Sequence, residues 1–164
     1  MQYPVDKIRN ICLLGHLGSG KTALAEALLY YTKGTDRLGS REEGTTVCDF
    51  DAEEINRKLS ISTAVAPVYY GDYKINILDT PGEFDFSGEV IQALSACEYA
   101  IITVSARSGV KVGTEKAFKM CKKRGIPVLF YITKMDADSA DYHKVMVQLK
   151  EKFGQKICAY NVPI

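Results

Sequence analysis

The sequence predicts an α/β fold, a three-layer sandwich in which a mostly parallel sheet with one antiparallel edge strand lies between helices on both faces. Short apolar runs alternate with amphipathic segments, which is the rhythm of such folds. Residues 128–132 are apolar throughout, as expected for a parallel strand covered on both faces. Pro67 interrupts another apolar run and donates no ladder hydrogen bond, so that run is predicted at the sheet edge.

Each element has its own signal in the sequence. Strands are predicted at 8–14, 61–70, 73–79, 99–105, 128–132 and 156–162, with Gly71-Asp72 as the hairpin turn between the second and third. Helices are predicted at 20–31 and 87–96, from a cap at Thr114 to Gly125, and from a cap at Asp138 or Ser139 to Gly154. Residues 34–60 have no periodicity, and a stretch of that length is usually functional or mobile.

The composition is that of one domain with its own core. The 164 residues are 46% hydrophobic and 25% charged, and the formal net charge is +1, which does not favour a polyanionic partner. The five cysteines are widely spaced and form no C-x-x-C pair, so they fit neither a disulfide framework nor a zinc site. Most lie in apolar runs and are predicted to be buried thiols, whereas Cys48 lies among polar residues and could be exposed.

Neither a membrane span nor a secretion signal is visible in the sequence. No apolar stretch approaches the roughly 20 residues that cross a bilayer. The N-terminus lacks the cationic and then apolar pattern of a signal peptide. We therefore expect a cytoplasmic protein.

A phosphate-binding loop is predicted between the first strand and the first helix. The residues that match the pattern G-x-x-x-x-G-K-[ST] are Gly15, His16, Leu17, Gly18, Ser19, Gly20, Lys21 and Thr22. Glycines let backbone N–H groups converge on phosphates, and the helix N-terminus adds its positive end. Lys21 would reach the β- and γ-phosphates, and the Thr22 hydroxyl would bind Mg²⁺. The alternative is a glycine-rich turn without a ligand.

Two further motifs follow at strand ends. Asp79-Thr80-Pro81-Gly82 ends the strand 73–79, where Asp79 could hold Mg²⁺ through water and the Gly82 N–H could meet a γ-phosphate. Thr133-Lys134-Met135-Asp136 follows the strand 128–132. The Asp136 carboxylate can accept two hydrogen bonds from the N1 and N2 edge of guanine, and the Lys134 stem can lie along the base. The alternatives are an ordinary turn and a charged loop.

Together, and in this order, the three motifs resemble those of the translational GTPases, and the likeness extends along essentially the whole chain. The first switch region of elongation factor G resembles Leu38-Gly39, Gly44-Thr45-Thr46, Asp49-Phe50-Asp51, Glu53-Glu54 and Arg57-Lys58-Leu59-Ser60-Ile61. Gly18-Ser19-Gly20 is closer to an elongation factor G-like branch than to the main factor, and the tetracycline ribosomal-protection proteins are also similar. The resemblance implies a P-loop NTPase fold, GTP or GDP with Mg²⁺ as ligands, GTP hydrolysis, and the ribosome as partner of the full-length protein.

The chain departs from that family at three positions. Glu83 stands where these GTPases usually carry the histidine that orients the attacking water. Its negative charge beside a γ-phosphate predicts slow hydrolysis, although glutamate could also accept a proton from water. Ser60 aligns with the switch threonine and keeps the hydroxyl that completes the Mg²⁺ shell, together with Thr22 and Asp79. Thr133 replaces an asparagine, so nucleotide affinity could fall while Asp136 preserves the choice of base.

The resemblance also implies that residues 1–164 are a GTP-binding domain belonging to a longer factor. We find no Ser-Ala loop to close the guanine pocket after Asp136, except Ser139-Ala140, which lies too close. In elongation factor G that loop follows an inserted subdomain. We therefore expect the fragment to end before the guanine-closing loop and the remaining domains, and to be monomeric.

Three functions remain open at this point: a GTPase that drives a translation factor, a guanine-nucleotide-binding module with little turnover, and an ATP-dependent P-loop protein. The last would make T-K-x-D coincidental. Arg41 and Arg57 could act on phosphates or be mobile loop charges. We expect residues 34–60 to be poorly ordered without GTP and Mg²⁺, because few of them are apolar. His16 is expected to be solvated or bonded to backbone rather than catalytic, and His143 to lie at the surface. A basic cluster could touch ribosomal RNA, but its helical spacing favours a solvated outer face; its members are Lys111, Lys116, Lys119, Lys122, Lys123 and Arg124.

Overall fold

The computed structural model describes residues 3–163, so positions 1, 2 and 164 of the expected domain lie outside it. Its strands are β1 Ile8–Gly15, β2 Ala64–Tyr70, β3 Tyr73–Asp79, β4 Tyr99–Ser105 and β5 Val128–Thr133. Its α-helices are α1 Lys21–Tyr31, α2 Ala52–Arg57, α3 Ser87–Ala96, α4 Val112–Arg124 and α5 Tyr142–Phe153. Two single 3₁₀ turns occur at Val5–Lys7 and Phe84–Phe86.

The five strands form one sheet in the order β2-β3-β1-β4-β5. The β2–β3 hairpin is antiparallel, and the other neighbouring pairs are parallel. Strand β2 lies at the edge of the sheet, which is where a residue such as Pro67, with no N–H group to donate, is tolerated. The predicted mixed sheet with its antiparallel edge is therefore confirmed.

Helices cover the two faces of the sheet unequally. One face packs α3 and α4 against Cys12, Leu14 and Ile102, and α5 continues that layer through Val145, which is fully buried against Val104. On the opposite face, α1 packs against β1, β2 and β3, around Leu13, Ala25, Ile77 and neighbouring residues. This arrangement gives three layers with the core on both sides of β1.

Strand β5 is less buried than its sequence suggests. Leu129 is 50% exposed and Tyr131 is 45% exposed, whereas Phe130 packs between Phe118 and Phe153. Leu129 and Tyr131 alternate with Phe130 along the strand and so lie on the opposite face of the sheet, where both are exposed. The expectation that this strand is covered on both faces is therefore wrong for the described residues.

Several helix ends differ from the predictions. Helix α4 begins at Val112 with Lys111 as its N-cap residue, and the Thr114 hydroxyl accepts a 3.4 Å hydrogen bond from the Lys111 N–H within the first turn. Helix α5 is capped by Asp141, which accepts from the Lys144 N–H at 2.9 Å, rather than by Asp138 or Ser139. Gly125 ends α4 as predicted, with a φ of 69°.

Two further expectations about the chain are corrected. Residues 156–162 form no strand, because the chain turns at Gly154 and then runs along the surface, with Tyr160 95% exposed. Cys48 is only 3% exposed, since it packs beneath the sheet face that α1 covers. Among the other thiols, Cys12 and Cys121 are buried as expected, Cys97 is half-buried and Cys158 is exposed.

Candidate functional site

The glycine-rich loop lies at the carboxyl end of β1 and leads directly into α1. Gly15, Gly18 and Gly20 have φ angles of 143°, 70° and 90°, which side chains other than glycine rarely adopt. At Gly15 a Cβ atom would also lie 2.7 Å from the Thr103 carbonyl oxygen. The Ser19 hydroxyl lies 2.6 Å from Thr103 Oγ1, which ties the loop to β4. The predicted strand–loop–helix context is therefore present.

The Lys21 ammonium group is buried beneath this loop. Lys21 is 6% exposed, and its Nζ donates to the carbonyl oxygens of Gly15 and His16 at 3.3 Å each. Burial lowers the pKa of Lys21 to about 8, an effect partly offset by the charge of Asp79. No carboxylate of residues 3–163 forms an ion pair with it. A bound anion such as phosphate would compensate this charge.

Three predicted metal ligands converge beside Lys21. The Thr22 hydroxyl donates to Asp79 Oδ2 at 2.6 Å and lies 3.3 Å from Ser60 Oγ. Burial raises the pKa of Asp79 to about 6, although the hydrogen bond from Thr22 and the charge of Lys21 oppose the rise.

The remaining oxygen of Asp79 has no partner within the described residues. Asp79 is 1% exposed, and its Oδ1 is buried without a hydrogen bond. An orphaned carboxylate oxygen beside two hydroxyl oxygens fits a hard divalent cation such as Mg²⁺, which prefers oxygen ligands. No cluster of three His, Cys, Asp or Glu side chains capable of holding a metal occurs within residues 3–163, so such a site would depend on these hydroxyl groups.

The site also contains a buried carboxylate that the sequence did not predict, Asp49, and an arginine whose role the sequence left open, Arg41. Asp49 is 2% exposed and accepts a 2.7 Å hydrogen bond from the Ser60 hydroxyl. Arg41 pairs with Asp49 at 2.8 Å and also donates to Thr22 Oγ1 and Ser60 Oγ. Arg57 pairs with Glu53 in an exposed ion pair one helical turn away, and it also lines the cavity that contains Lys21. The eleven-residue separation of Asp49 and Ser60 has no local signal, so only the folded loop brings them together.

Gly82 and Glu83 differ in their positions relative to the phosphate loop. A Cβ at Gly82 would lie 2.6 Å from Lys21 Nζ and 2.8 Å from the Leu17 backbone, so the two loops approach here as closely as glycine allows. Glu83 is half-buried and lines a small cavity of about 110 Å³ with Val90 and Met120. It does not line the larger cavity that contains Lys21.

His16 and Leu17 occupy the variable positions of the loop. The half-buried His16 ring lies 6.1 Å from the Phe84 ring, and its buried Nδ1 has no hydrogen bond within residues 3–163. The His16 Nδ1 is thus not bonded to backbone, although the half-buried ring is partly open to solvent, whereas His143 is exposed as expected. Leu17 is 40% exposed, and Gly18 faces open space.

The Thr133-Lys134-Met135-Asp136 segment reaches the loop through its first residue. The Thr133 hydroxyl donates to the Ser19 carbonyl oxygen at 2.7 Å, which connects β5 to the phosphate loop. Lys134 has a φ of 57° and lines the larger cavity. Asp136 is exposed and lines a separate opening of about 360 Å³ with Arg107 and Ser139.

The larger cavity has a volume of about 520 Å³ and lies at the carboxyl ends of the parallel strands. It brings together most of the predicted phosphate and metal residues with the switch segment, which is residues 34–60. Its lining includes Leu17, Gly18, Gly20, Lys21, Thr22, Arg41, Ser60, Gly82 and Lys134. Glu83 and Asp136 are predicted site residues that stand apart from it.

Comparison with known proteins agrees with this architecture. The family model described as the elongation factor Tu GTP binding domain matches residues 6–163. An elongation factor G-like protein of Mycobacterium tuberculosis is 40% identical over 156 residues, which are 95% of this chain and 22% of that protein. Mitochondrial ribosome-releasing factor 2 of Scheffersomyces stipitis is 35% identical over 162 residues, or 99% of this chain and 19% of that protein.

A solved structure has the same fold. The crystal structure of a protein from Thermus thermophilus matches with a TM-score of 0.87 at 41% identity, over 90% of this chain and 22% of that one. The chain thus spans about a fifth of the length of these relatives. No helix within residues 3–163 has both the length and the apolarity to cross a membrane. The chain is similar to elongation factor G and elongation factor G-like proteins over nearly its own whole length, and it belongs to the elongation factor Tu GTP binding domain family.

Proposed function

We propose that this chain binds GTP and GDP with Mg²⁺ and hydrolyses GTP, as the switch domain of an elongation factor G-like translation factor. The observation that carries the proposal is the buried Lys21 ammonium, without an ion pair in the described chain, next to the oxygen group of Thr22, Ser60 and Asp79. A nucleotide phosphate would compensate the Lys21 charge, and its cation would fit the free Asp79 oxygen beside the two hydroxyl groups. The family match supports guanine nucleotide as that ligand.

The residues of the chain divide this task between binding and orientation. The N–H groups of residues 15–22 and the N-terminus of α1 would hold the phosphates, and Lys21 would neutralise charge on the β- and γ-phosphates. Thr22, Ser60 and Asp79 would hold Mg²⁺, which supplies charge neutralisation at the phosphates when bound. The close approach of Gly82 to Lys21 supports a role for the Gly82 N–H at the γ-phosphate.

Base selection rests on the segment after β5. Asp136 would accept two hydrogen bonds from guanine, and the Lys134 stem would lie along the base. The exposed position of Asp136 leaves its carboxylate free to meet a base at the sheet edge. Thr133 would act indirectly, since its hydroxyl supports the phosphate loop through Ser19.

The partner and compartment follow from the relatives rather than from this chain alone. Relatives named elongation factor G and ribosome-releasing factor 2 support a ribosomal role for the full-length protein. The bacterial elongation factor G among them supports a cytoplasmic location. The domain itself would act as a monomer that changes the shape of its switch segments with the nucleotide state.

The test is a titration of the chain with fluorescent GDP and GTP, with and without Mg²⁺, in competition with unlabelled ATP. We expect binding that GTP displaces and ATP does not, and a higher affinity with Mg²⁺. The Asp136→Ala variant should lose the preference for guanine. Equal displacement by ATP would refute the guanine assignment, and no binding by the wild-type chain would refute nucleotide binding by this domain.

A second candidate function is a guanine-nucleotide-binding module with little hydrolysis. The observation that favours it is Glu83, which lines the 110 Å³ cavity beside Val90 and Met120 rather than the cavity that contains Lys21. A carboxylate that faces the smaller cavity would be poorly placed to orient a water molecule beside Lys21. Single-turnover hydrolysis of saturating GTP would separate the two functions, since the module would bind GTP and leave it intact.

A further inference from the structure

The Arg41 guanidinium group lies among the oxygen atoms that the proposed metal site would use. Its Nη2 donates to Thr22 Oγ1 at 2.5 Å and to Ser60 Oγ at 3.0 Å. Its Nε and Nη2 lie 2.9 Å and 2.8 Å from Asp49 Oδ2. Thr22 also donates to Asp79. The Arg41 guanidinium group therefore places a positive charge among the oxygens of Thr22, Ser60 and Asp79. A divalent cation bound to the same hydroxyl oxygens would lie next to the guanidinium group, and the two positive charges would repel each other.

The charge of Arg41 compensates a carboxylate that would otherwise be buried alone. Asp49 is 2% exposed, and its other side-chain donor within the described chain is the neutral Ser60 hydroxyl. The charge of Arg41 also acts on its neighbours, since it contributes to lowering the pKa values of Lys21 and Asp79. Any group that displaces Arg41 must therefore bring positive charge of its own to Asp49.

The loop that carries Arg41 is held by other residues, so the side chain can leave without unfolding it. The Val47 and Cys48 N–H groups donate to Glu26 Oε1 at 2.7 Å and 3.1 Å, and Thr45 N–H donates to the Ser40 carbonyl oxygen. The Arg41 side chain is 29% exposed, which leaves it a path to solvent. Displacement therefore requires a rotamer change, not a new loop structure.

We propose that Arg41 is a tethered cation that competes with the divalent cation for the oxygens of Thr22, Ser60 and Asp49, and so sets the metal affinity of the site. The proposal rests on the metal site of the proposed function. Without metal, Arg41 keeps Asp49 compensated and the switch segment attached to α1. With metal, the guanidinium group moves out of the site, so the metal affinity is reduced by the strength of the contacts that Arg41 must give up.

The test measures Mn²⁺ binding, as a spectroscopic substitute for Mg²⁺, to the GDP-loaded chain by electron paramagnetic resonance of the free ion. Removing the competitor in Arg41→Met should tighten Mn²⁺ binding about tenfold or more, the usual strength of hydrogen bonds between charged groups. Arg124→Met is the matched control, because Arg124 makes an exposed hydrogen bond to Ser95, away from the site. It should bind Mn²⁺ as the wild type does.

A second readout does not depend on the nucleotide. In the nucleotide-free, metal-free chain, Arg41→Met should lower the melting temperature because Asp49 loses its counter-charge, and Mn²⁺ should raise that temperature more than in the wild type. Arg41→Lys covers the case in which the methionine variant fails to fold. A single ammonium group cannot match the contacts of the guanidinium group, so this variant should bind Mn²⁺ more tightly than the wild type.

Unchanged or weaker Mn²⁺ binding in both variants would overturn the proposal. If GDP still binds in that case, the proposed nucleotide function stands and only the competition fails. If GDP does not bind, the proposed function fails, and the melting temperatures decide the competition separately. If Mn²⁺ then raises the melting temperatures of the wild type and of Arg41→Met equally, the proposed competition is overturned.

Discussion

Replacing Lys21 with methionine should make the nucleotide-free chain more stable. The Lys21 ammonium group is buried, and within residues 3–163 its hydrogen bonds are two contacts of 3.3 Å to carbonyl oxygens. Burial lowers its pKa from 10.5 to about 8, which reflects the free energy of keeping this charge inside the folded chain. At about 1.4 kcal/mol for each pKa unit, the cost is about 3 kcal/mol at neutral pH. Methionine is similar in length and uncharged, so it should remove most of that cost.

The pH dependence of the difference follows from the sign of the pKa change. The pKa of Lys21 is lower in the folded chain than in the unfolded chain, so below pH 8 both states are protonated and the folded state carries the full cost. As the pH rises from about 8 to 10.5, the folded chain loses this proton before the unfolded chain does. The stability advantage of Lys21→Met should therefore shrink across that window and be greatest at neutral pH.

The assay is urea unfolding at pH 7 followed by far-ultraviolet circular dichroism, without nucleotide or metal. We expect a higher midpoint for Lys21→Met at an unchanged slope, together with loss of nucleotide binding. Lys122→Met is the matched control, because Lys122 is exposed on α4, and it should change the free energy of unfolding by less than about 0.5 kcal/mol. An equal or lower midpoint for Lys21→Met would show that the buried ammonium is already compensated, and would refute the inference that this lysine awaits an anion.

Three further substitutions test other parts of the site. Gly82→Ala places a Cβ 2.6 Å from Lys21 Nζ and 2.8 Å from the Leu17 backbone, so nucleotide affinity should fall at least about tenfold. The control is Gly88→Ala, whose Cβ meets nothing within 4 Å and which should keep the wild-type affinity. If the charged carboxylate of Glu83 limits the reaction, Glu83→His should increase single-turnover GTP hydrolysis by about a hundredfold or more, with or without ribosomes. No gain would remove the support for slow hydrolysis. Glu26→Ala removes the acceptor of the buried Cys48 N–H and the partly buried Val47 N–H, and should lower the free energy of unfolding by about 2–4 kcal/mol in urea titrations. A loss below about 1 kcal/mol would contradict its role as an anchor.

The fold could be predicted because its signals are local. The hairpin turn at Gly71-Asp72, the edge position of Pro67 and the glycine that ends α4 each depend on residues adjacent in sequence. The errors arise where the outcome depends on distant residues. An apolar run such as 128–132 carries no information on whether a helix covers both of its faces. Residues 156–162 have strand-like composition but find no partner strand within the described chain.

One missed element does have a local signal. Helix α2 lies inside the segment for which the sequence shows no periodicity, and it starts with a capping box. The Asp51 side chain accepts from the Glu53 N–H at 2.8 Å, and the Glu54 side chain accepts from the Asp51 N–H at 3.2 Å. The spacing of Asp51 and Glu54 is that of a helix start, but a helix of six residues presents too few turns for a periodic pattern.

The candidate site, like the fold, was predicted where its residues are adjacent in sequence and missed where they are distant. The phosphate loop is visible in the sequence because its eight residues are consecutive, and the Asp79 and Thr133 motifs because each follows a recognisable strand. The contacts of Arg41 with Thr22 and Asp49 join residues that are not neighbours in sequence, and no spacing rule predicts them. Sequence resemblance does indicate that Ser60 belongs to the site, since a hydroxyl is retained there.

The switch segment is attached to the domain mainly through buried carboxylates that accept hydrogen bonds from backbone N–H groups. Glu26 holds residues 47 and 48, and Glu54, which is 2% exposed, accepts from the N–H groups of Ile61 and Ser62 at 2.9 Å and 3.0 Å. This explains how a stretch with few apolar residues can have a defined path. Each carboxylate lies in a region with little solvent, so the attachment should respond to added charge more than apolar packing would. A phosphate and a cation arriving beside Arg41 change the charge at this point, and a segment held by polar contacts can then exchange partners without opening the hydrophobic core.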